Sequence, residues 1–182
     1  GCVLAPAAGG GGYVYSKIIS VSFDSKKDNW VSEPLDTLCL KLYGGESGIL
    51  VIGDTKYAYY NSKGEMQKEY EYPAKLIDWD YQNGKTALLF QNETKRLSYI
   101  TTVDSENKEP NYSEFENNNA KCIRIIDGHV CVLGKDGITQ YNFKGGSEKK
   151  ISSEGSYEEM IYIDDYIFLL GYDRIDRIDY KS

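Results

Sequence analysis

Ile123-Arg124-Ile125-Ile126-Asp127-Gly128-His129-Val130-Cys131-Val132-Leu133-Gly134 reads as two apolar strands folded back on each other at an Asp-Gly pair. That dipeptide favours a two-residue hairpin because both of its central positions accept positive φ, which matches the twist of the flanking strands. Equivalent turns are expected at Asn83-Gly84 after Leu76-Ile77-Asp78-Trp79-Asp80, and at Asp164-Asp165 after Met160-Ile161-Tyr162-Ile163. Gly44-Gly45 with Gly48 plays the same part earlier in the chain.

The second strand of this hairpin ends in an apolar triplet followed by glycine, and that signature recurs. It is found in Leu50-Val51-Ile52-Gly53, Cys131-Val132-Leu133-Gly134 and Phe168-Leu169-Leu170-Gly171, with Leu88-Leu89-Phe90-Gln91 as a fourth copy lacking the glycine. Positions 53, 91, 134 and 171 are separated by 38, 43 and 37 residues, close to the period of about 40–50 expected of four-stranded propeller blades. Helical repeats of similar period are excluded by the alternation after each anchor: Tyr57-x-Tyr59, Ile138-x-Gln140 and Ile175-x-Arg177, ending near Asn61, Asn142 and Asp179. Leu97 to Thr101 supplies the same strand in the second copy, and Ile18 to Asp24 resembles it in a partial earlier unit. Turn-rich Ser62-Lys63-Gly64-Glu65 and Lys144-Gly145-Gly146-Ser147 then lead to short fourth strands at Met66 to Tyr72 and Glu148 to Ser152. Lys108 to Asn119 is polar, contains Pro110, and reads as a long loop with a ragged outer strand around Tyr112 to Phe115.

The expected fold is therefore all-β, with β-propeller-type blades of four antiparallel strands, about four to five units. A single domain over 1–182 is expected, with units near 1–38, 39–73, 74–119, 120–156 and 157–182. The composition agrees with sheet: 17 Tyr, 5 Phe and 2 Trp in 182 residues suit a pleated, half-buried surface.

The pattern of apolar strand, Asp-Gly, apolar triplet, Gly, alternating strand, Asn and Lys-Gly resembles the quinoprotein-like and WD40-like β-propeller superfamilies. Leu50 to Glu65 and Ile123 to Ser147 look most like an uncharacterised family of bacterial propellers that carry one N-terminal transmembrane helix. The resemblance covers about residues 13 to 182 and implies an extracytoplasmic or cell-surface protein, anchored through an N-terminal segment. Members are expected to have six to eight blades, so four and a half imply an incomplete ring: a C-terminal piece of a longer chain, or a homodimer. The last strand before Ser182 is a third strand, and its outer neighbour is expected to come from elsewhere.

No cofactor follows from the resemblance. Quinone-dependent relatives carry a docking tryptophan in each blade and a calcium ion, whereas only Trp30 and Trp79 occur here. Ser22-Phe23-Asp24 with Trp30 comes close to the Asp-box turn of sialidase-type propellers, but Lys26 stands at the glycine position and the tryptophan falls one residue late.

Charge and motif content bound the chemistry. A net charge of −7 repels phosphate backbones, and Lys26-Lys27 and Lys149-Lys150 are isolated pairs rather than a basic stripe, so no nucleic-acid partner is expected. There is no apolar run of membrane-spanning length in the sequence. Cys2, Cys39, Cys122 and Cys131 form no C-x-x-C, and the single His129 has no second ligand pair at zinc spacing, so no metal is expected. Cys39, Cys122 and Cys131 lie in apolar runs and read as small buried hydrophobes. Gly1-Cys2 with Gly9 to Gly12 resembles a lipobox and tether; alternatively Cys2 to Ala5 is a strand and Pro6 to Gly12 its loop.

Two functional classes remain. A non-catalytic interaction module would bind a protein or glycan through loops or rim, using tyrosines among Tyr57, Tyr59, Tyr60, Tyr70, Tyr72, Trp79 and Tyr81 that are not spent on filling space between blades. A glycan-processing hydrolase would need two carboxylates from Asp164, Asp165, Asp173, Asp176 and Asp179 at a fixed separation. The module is the leading expectation, with no catalytic residue assigned, because those aspartates recur as turn and strand-end residues.

Overall fold

The computed structural model describes residues 2–6, 14–23, 28–45, 48–104, 110–115 and 119–180. The regular elements among these residues are all strands, grouped into antiparallel sheets in chain order. The chain falls into two compact units, 1–73 and 74–182.

In the first unit, β1 (Cys2–Pro6), β2 (Val14–Ser20) and β3 (Trp30–Val31) make a three-stranded sheet. A four-stranded sheet follows: β4 (Cys39–Gly45), β5 (Gly48–Gly53), β6 (Lys56–Asn61) and β7 (Met66–Glu71). The second unit holds β8 (Lys75–Gln82), β9 (Lys85–Asn92), β10 (Leu97–Asp104) and β11 (Asn111–Phe115). Its next sheet is β12 (Cys122–Ile126), β13 (His129–Gly134), β14 (Gly137–Tyr141) and β15 (Ser147–Ser152). Last come β16 (Glu159–Ile163), β17 (Tyr166–Leu170) and β18 (Ile175–Asp179). Each sheet is a meander of sequential neighbours, which is the topology of a propeller blade.

The three two-residue turns take the geometry their residues dictate. Asn83 and Gly84 have φ of 49° and 82°, Asp127 and Gly128 have 47° and 79°, and Asp164 and Asp165 have 48° and 69°. All are doubly positive, as a turn that follows strand twist requires.

The Asn-x-Lys-Gly segments behave as one repeated device. Asn61 Oδ1 accepts hydrogen bonds from the N–H groups of Lys63 and Glu65, as Asn142 Oδ1 does from Lys144 and Gly146. Gly64 and Gly145, at φ 82° and 88°, donate their N–H to the carbonyls of Asn61 and Asn142. A side chain at Gly64 would collide with the Trp30 ring, and one at Gly145 with the Ser113 hydroxyl. The turns after β6 and β14 are thereby pressed onto the outermost strand of the preceding sheet.

The cores lie between sheets. Ile18 and Leu35 pack with Val51, Ala58 and Tyr60 in the first unit. In the second, Ala87, Leu89 and Ile100 meet Ile123, Ile125, Val130 and Val132, while Cys122, Ile126, Cys131, Leu133 and Ile138 meet Met160, Ile167 and Leu169. Side chains alternate between the two faces of a strand, so a continuous apolar triplet such as Cys131-Val132-Leu133 feeds two cores at once.

Three local expectations change. Pro6 ends β1 rather than opening a loop; β1 is an edge strand, where the missing N–H costs no ladder bond. The strand expected over Ile18 to Asp24 runs instead from Val14 to Ser20, leaving Val21 exposed beyond it. Cys122 and Cys131 are buried, but Cys39 is only half-buried at the start of β4. Gly1, Gly9 to Gly12, Asp24, Lys26 and Lys27 lie outside the described residues, as do 108–109 and 116–118 of the Lys108 to Asn119 stretch.

Candidate functional site

The densest polar constellation lies where three first strands of the second unit run side by side. In an antiparallel pair, alternate residues turn their backbone groups away from the partner, and in β12 these are Ile123 and Ile125. Asp78 Oδ2 accepts from the Ile123 N–H at 3.0 Å and Asp80 Oδ2 from the Ile125 N–H at 2.7 Å. The Gln82 amide donates to the Ile125 carbonyl at 2.7 Å. Asp78, Asp80 and Gln82 project from one side of β8, so their side chains replace a neighbouring strand along the open edge of β12.

Arg124 joins this edge to the next sheet. Its Nη1 lies 2.6 Å from Asp78 Oδ2, and its Nη2 donates to Glu159 Oε1, which also accepts the Met160 N–H at 2.9 Å. Burial alone would lower the affinity of the guanidinium for its proton; the adjacent Asp78 carboxylate, aided by Glu159, more than offsets this and raises its pKa. Every one of these charges is engaged in joining sheets. Sequence reading treated Asp78, Asp80 and Arg124 as strand residues only. The available signal was a pair of aspartates two apart in an otherwise apolar first strand.

The five aspartates weighed for hydrolysis fall into separate local roles. Asp164 and Asp165 form the β16–β17 turn, and Tyr162 donates its hydroxyl to Asp165 Oδ1 at 3.0 Å and to Asp127 Oδ2 at 3.3 Å. Asp176 in β18 accepts from the Tyr157 hydroxyl and from Arg174, and these two bonds, Tyr157 first, hold its pKa below the usual carboxylate range. Asp173 is exposed between β17 and β18, and Asp179 ends β18. His129 Nε2 lies 3.3 Å from Glu148 Oε2. Among the described residues, no group of three His, Cys, Asp or Glu side chains is placed to hold a metal ion, and no helix is long and apolar enough to cross a membrane.

The weighed aromatics divide in the same way. Tyr57 and Tyr60 are buried, while Tyr59, Tyr70, Tyr72, Trp79 and Tyr81 are half-buried. Tyr57, Tyr70 and Tyr72 form a chain of ring contacts at 5.5 and 6.4 Å. Trp30 stacks on Tyr60 at 6.1 Å and donates its Nε1–H to the Ser62 carbonyl, so it belongs to the packing between sheets. Surface aromatics lie elsewhere. Tyr112 on β11 is 47% exposed and stacks on the buried Tyr99 beneath it at 5.5 Å. Tyr172, in the turn before β18, is fully exposed. Neither position was distinguished by the periodicity, because alternation along a strand does not say which of its rings neighbouring side chains cover. A shallow depression in this unit is lined by Ala74, Lys75, Gln91, Asn92 and Glu93.

No family model matches the sequence, and no curated protein is similar to it in sequence. Solved structures are similar in fold. Hsv2p of Kluyveromyces lactis matches with a TM-score of 0.63 at 13% identity, over 91% of this chain and 58% of that one. A protein of unknown function from Bacteroides caccae matches with a TM-score of 0.51 at 14% identity, over 99% of this chain and 73% of that one. The N-terminal domain of Nup159 gives 0.54 at 10% identity, over 81% and 45%. This chain thus spans under two thirds of the length of the Hsv2p structure it matches. At these identities the likeness establishes the fold, which is that of β-propeller blades.

Proposed function

We propose that this chain is a non-catalytic interaction module of a bacterial cell surface, working outside the cytoplasm and binding a protein or glycan partner through its exposed aromatic rim. The observation that carries this reading is Tyr112, a ring presented on an outermost strand and fixed from beneath by Tyr99. A ring with one apolar face and a polar tip, already immobilised, loses little entropy on binding. Tyr172 offers a second such ring on a turn. Of the aspartates that would serve a hydrolase, Asp165 instead accepts from Tyr162, and Asp176 from Tyr157 and Arg174. An extracytoplasmic setting is supported by the sequence resemblance to membrane-anchored bacterial propellers.

Titration of the protein with a panel of oligosaccharides and surface polysaccharides, followed by intrinsic fluorescence and calorimetry, tests the glycan arm. Photo-crosslinking from position 112 in cell-envelope extracts tests the protein arm. Tyr112→Ala and Tyr172→Ala are expected to weaken whichever binding is found by about tenfold, as loss of about 1.4 kcal/mol implies. Tyr172→Ala should leave thermal unfolding unchanged, while Tyr112→Ala, which also loses its stacking on Tyr99, should unfold at a slightly lower temperature with its circular dichroism spectrum retained. Release of new reducing ends from an oligosaccharide, abolished by Asp176→Asn, would instead establish the hydrolase.

A further inference from the structure

Asn83-Gly84 is the single Asn-Gly pair in the sequence, and it forms the two-residue turn between β8 and β9. A glycine after asparagine leaves the main-chain nitrogen unshielded by a side chain, so that nitrogen can reach the asparagine amide carbon. Asn83 is exposed to water. Gln82 pairs with Lys85 across the turn, and this pair closes the ladder, so the Gly84 N–H takes no part in it. Gly84 has a φ of 82°, a conformation that glycine adopts without steric cost.

We propose that Asn83 is a site of spontaneous deamidation, with water as the co-reactant, and that the modification acts on the junction between two sheets. The Gly84 main-chain nitrogen attacks Asn83 Cγ; the new N–Cγ bond forms and the Cγ–Nδ2 bond breaks. The side-chain nitrogen leaves as ammonia, carrying the Gly84 amide proton. Water then opens the cyclic imide at one of its two carbonyls. Opening at Cγ releases a side-chain carboxylate and gives aspartate with the original main chain. Opening at the main-chain carbonyl gives isoaspartate, in which the chain runs on through Cγ. No oxidation or reduction takes place.

The two products differ in what they do to the fold. The aspartate form has a twin in the same molecule: Asp127-Gly128 occupies the matching turn of the next sheet, with φ of 47° and 79° against 49° and 82°. It adds one negative charge to a chain at −7 and leaves the turn intact. The isoaspartate form inserts a carbon into the main chain of a two-residue loop, where loop length fixes the register. Beside that loop, Gln82 donates to the Ile125 carbonyl at 2.7 Å, and Asp80 accepts from the Ile125 N–H at 2.7 Å. A displaced turn pulls on both bonds, so the isoaspartate form loosens the hold of β8 on the open edge of β12. Asn83 is thereby a slow chemical timer on this junction, independent of partner binding at Tyr112.

Incubation of the folded 182-residue chain in warm, mildly alkaline buffer, followed by peptide mass mapping, is the test. Conversion of amide to acid is expected at Asn83 ahead of every other asparagine, and an isoaspartate-specific carboxyl methyltransferase should label the same peptide. The urea midpoint of aged protein should fall in proportion to its isoaspartate content, and hydrogen exchange at the Ile125 amide should quicken in step. Freshly purified Asn83→Asp should unfold at the wild-type midpoint, since Asp127 already occupies the same kind of turn. Retention of the Asn83 amide in folded protein, with conversion only in denaturant, would overturn the proposal, because the turn would then protect the bond. Aged protein rich in isoaspartate at this position, with unchanged midpoint and unchanged Ile125 exchange, would refute the effect on the junction. An Asn83→Asp variant as unstable as the aged protein would do the same, by assigning the loss to charge and not to the main chain.

Discussion

Asp78 caps the backbone of Ile123 and at the same time holds the guanidinium of Arg124, so a single carboxylate oxygen serves both the open edge of β12 and the cation that reaches on to Glu159. An edge strand with unpaired N–H groups is a template for unwanted pairing. Here the preceding sheet supplies acceptors from side chains, and the edge is closed without a further strand.

Asp78→Ala is expected to destabilise the protein by about 3 kcal/mol, because it leaves both a backbone donor and a mostly buried guanidinium without their acceptor. Asp80→Ala removes a backbone acceptor only and should cost about 1–2 kcal/mol. The double variant Asp78→Ala/Arg124→Met should regain part of the first loss, since it no longer strands a charge. Urea unfolding followed by circular dichroism measures these three and the Arg124→Met single variant. A double variant that loses as much as Asp78→Ala and Arg124→Met added together would refute the pairing.

Asp165 occupies a turn position that glycine fills in the two equivalent hairpins, at Gly84 and Gly128, and its φ of 69° places a side chain in the left-handed region. Asp165→Gly should therefore stabilise the protein by about 0.5–1 kcal/mol. The exposed hydrogen bond from Tyr162 is lost in the exchange and offsets little. A lowered urea midpoint would show that this bond outweighs the relieved strain.

The buried thiols should be silent. Burial, with the Glu159 carboxylate adding to it, pushes the Cys122 thiol far above its ordinary pKa, and burial pushes Cys131 up to about 12 despite a bond to Tyr180. Only the thiolate attacks a disulfide reagent. In a Cys2→Ser background, native protein at mildly alkaline pH should release one equivalent of thionitrobenzoate promptly, from half-buried Cys39. The remaining two equivalents should appear only in denaturant. Prompt release of more than one would contradict the packing of β12 and β13.

The sequence by itself determined the blade. Period-2 alternation, Asp-Gly and Asn-Gly pairs and the Asn-x-Lys-Gly segments are local instructions: each acts through the φ its residues accept or through a side chain bonding its own backbone a few positions away. Strand order and register within each sheet followed from them, and the hairpins at Asn83, Asp127 and Asp164 adopt the doubly positive φ that their composition requires. What only the tertiary structure decided was the use of each face. Asp78, Asp80 and Arg124 are ordinary strand residues until a neighbouring edge lies within hydrogen-bond reach, and that proximity joins residues about 45 positions apart. The same holds for Ile163 and Ile126, which occupy matching places beside matching turns. One is buried because a sheet covers it, and the other is 51% exposed, because burial belongs to the pair of packed surfaces and not to the strand.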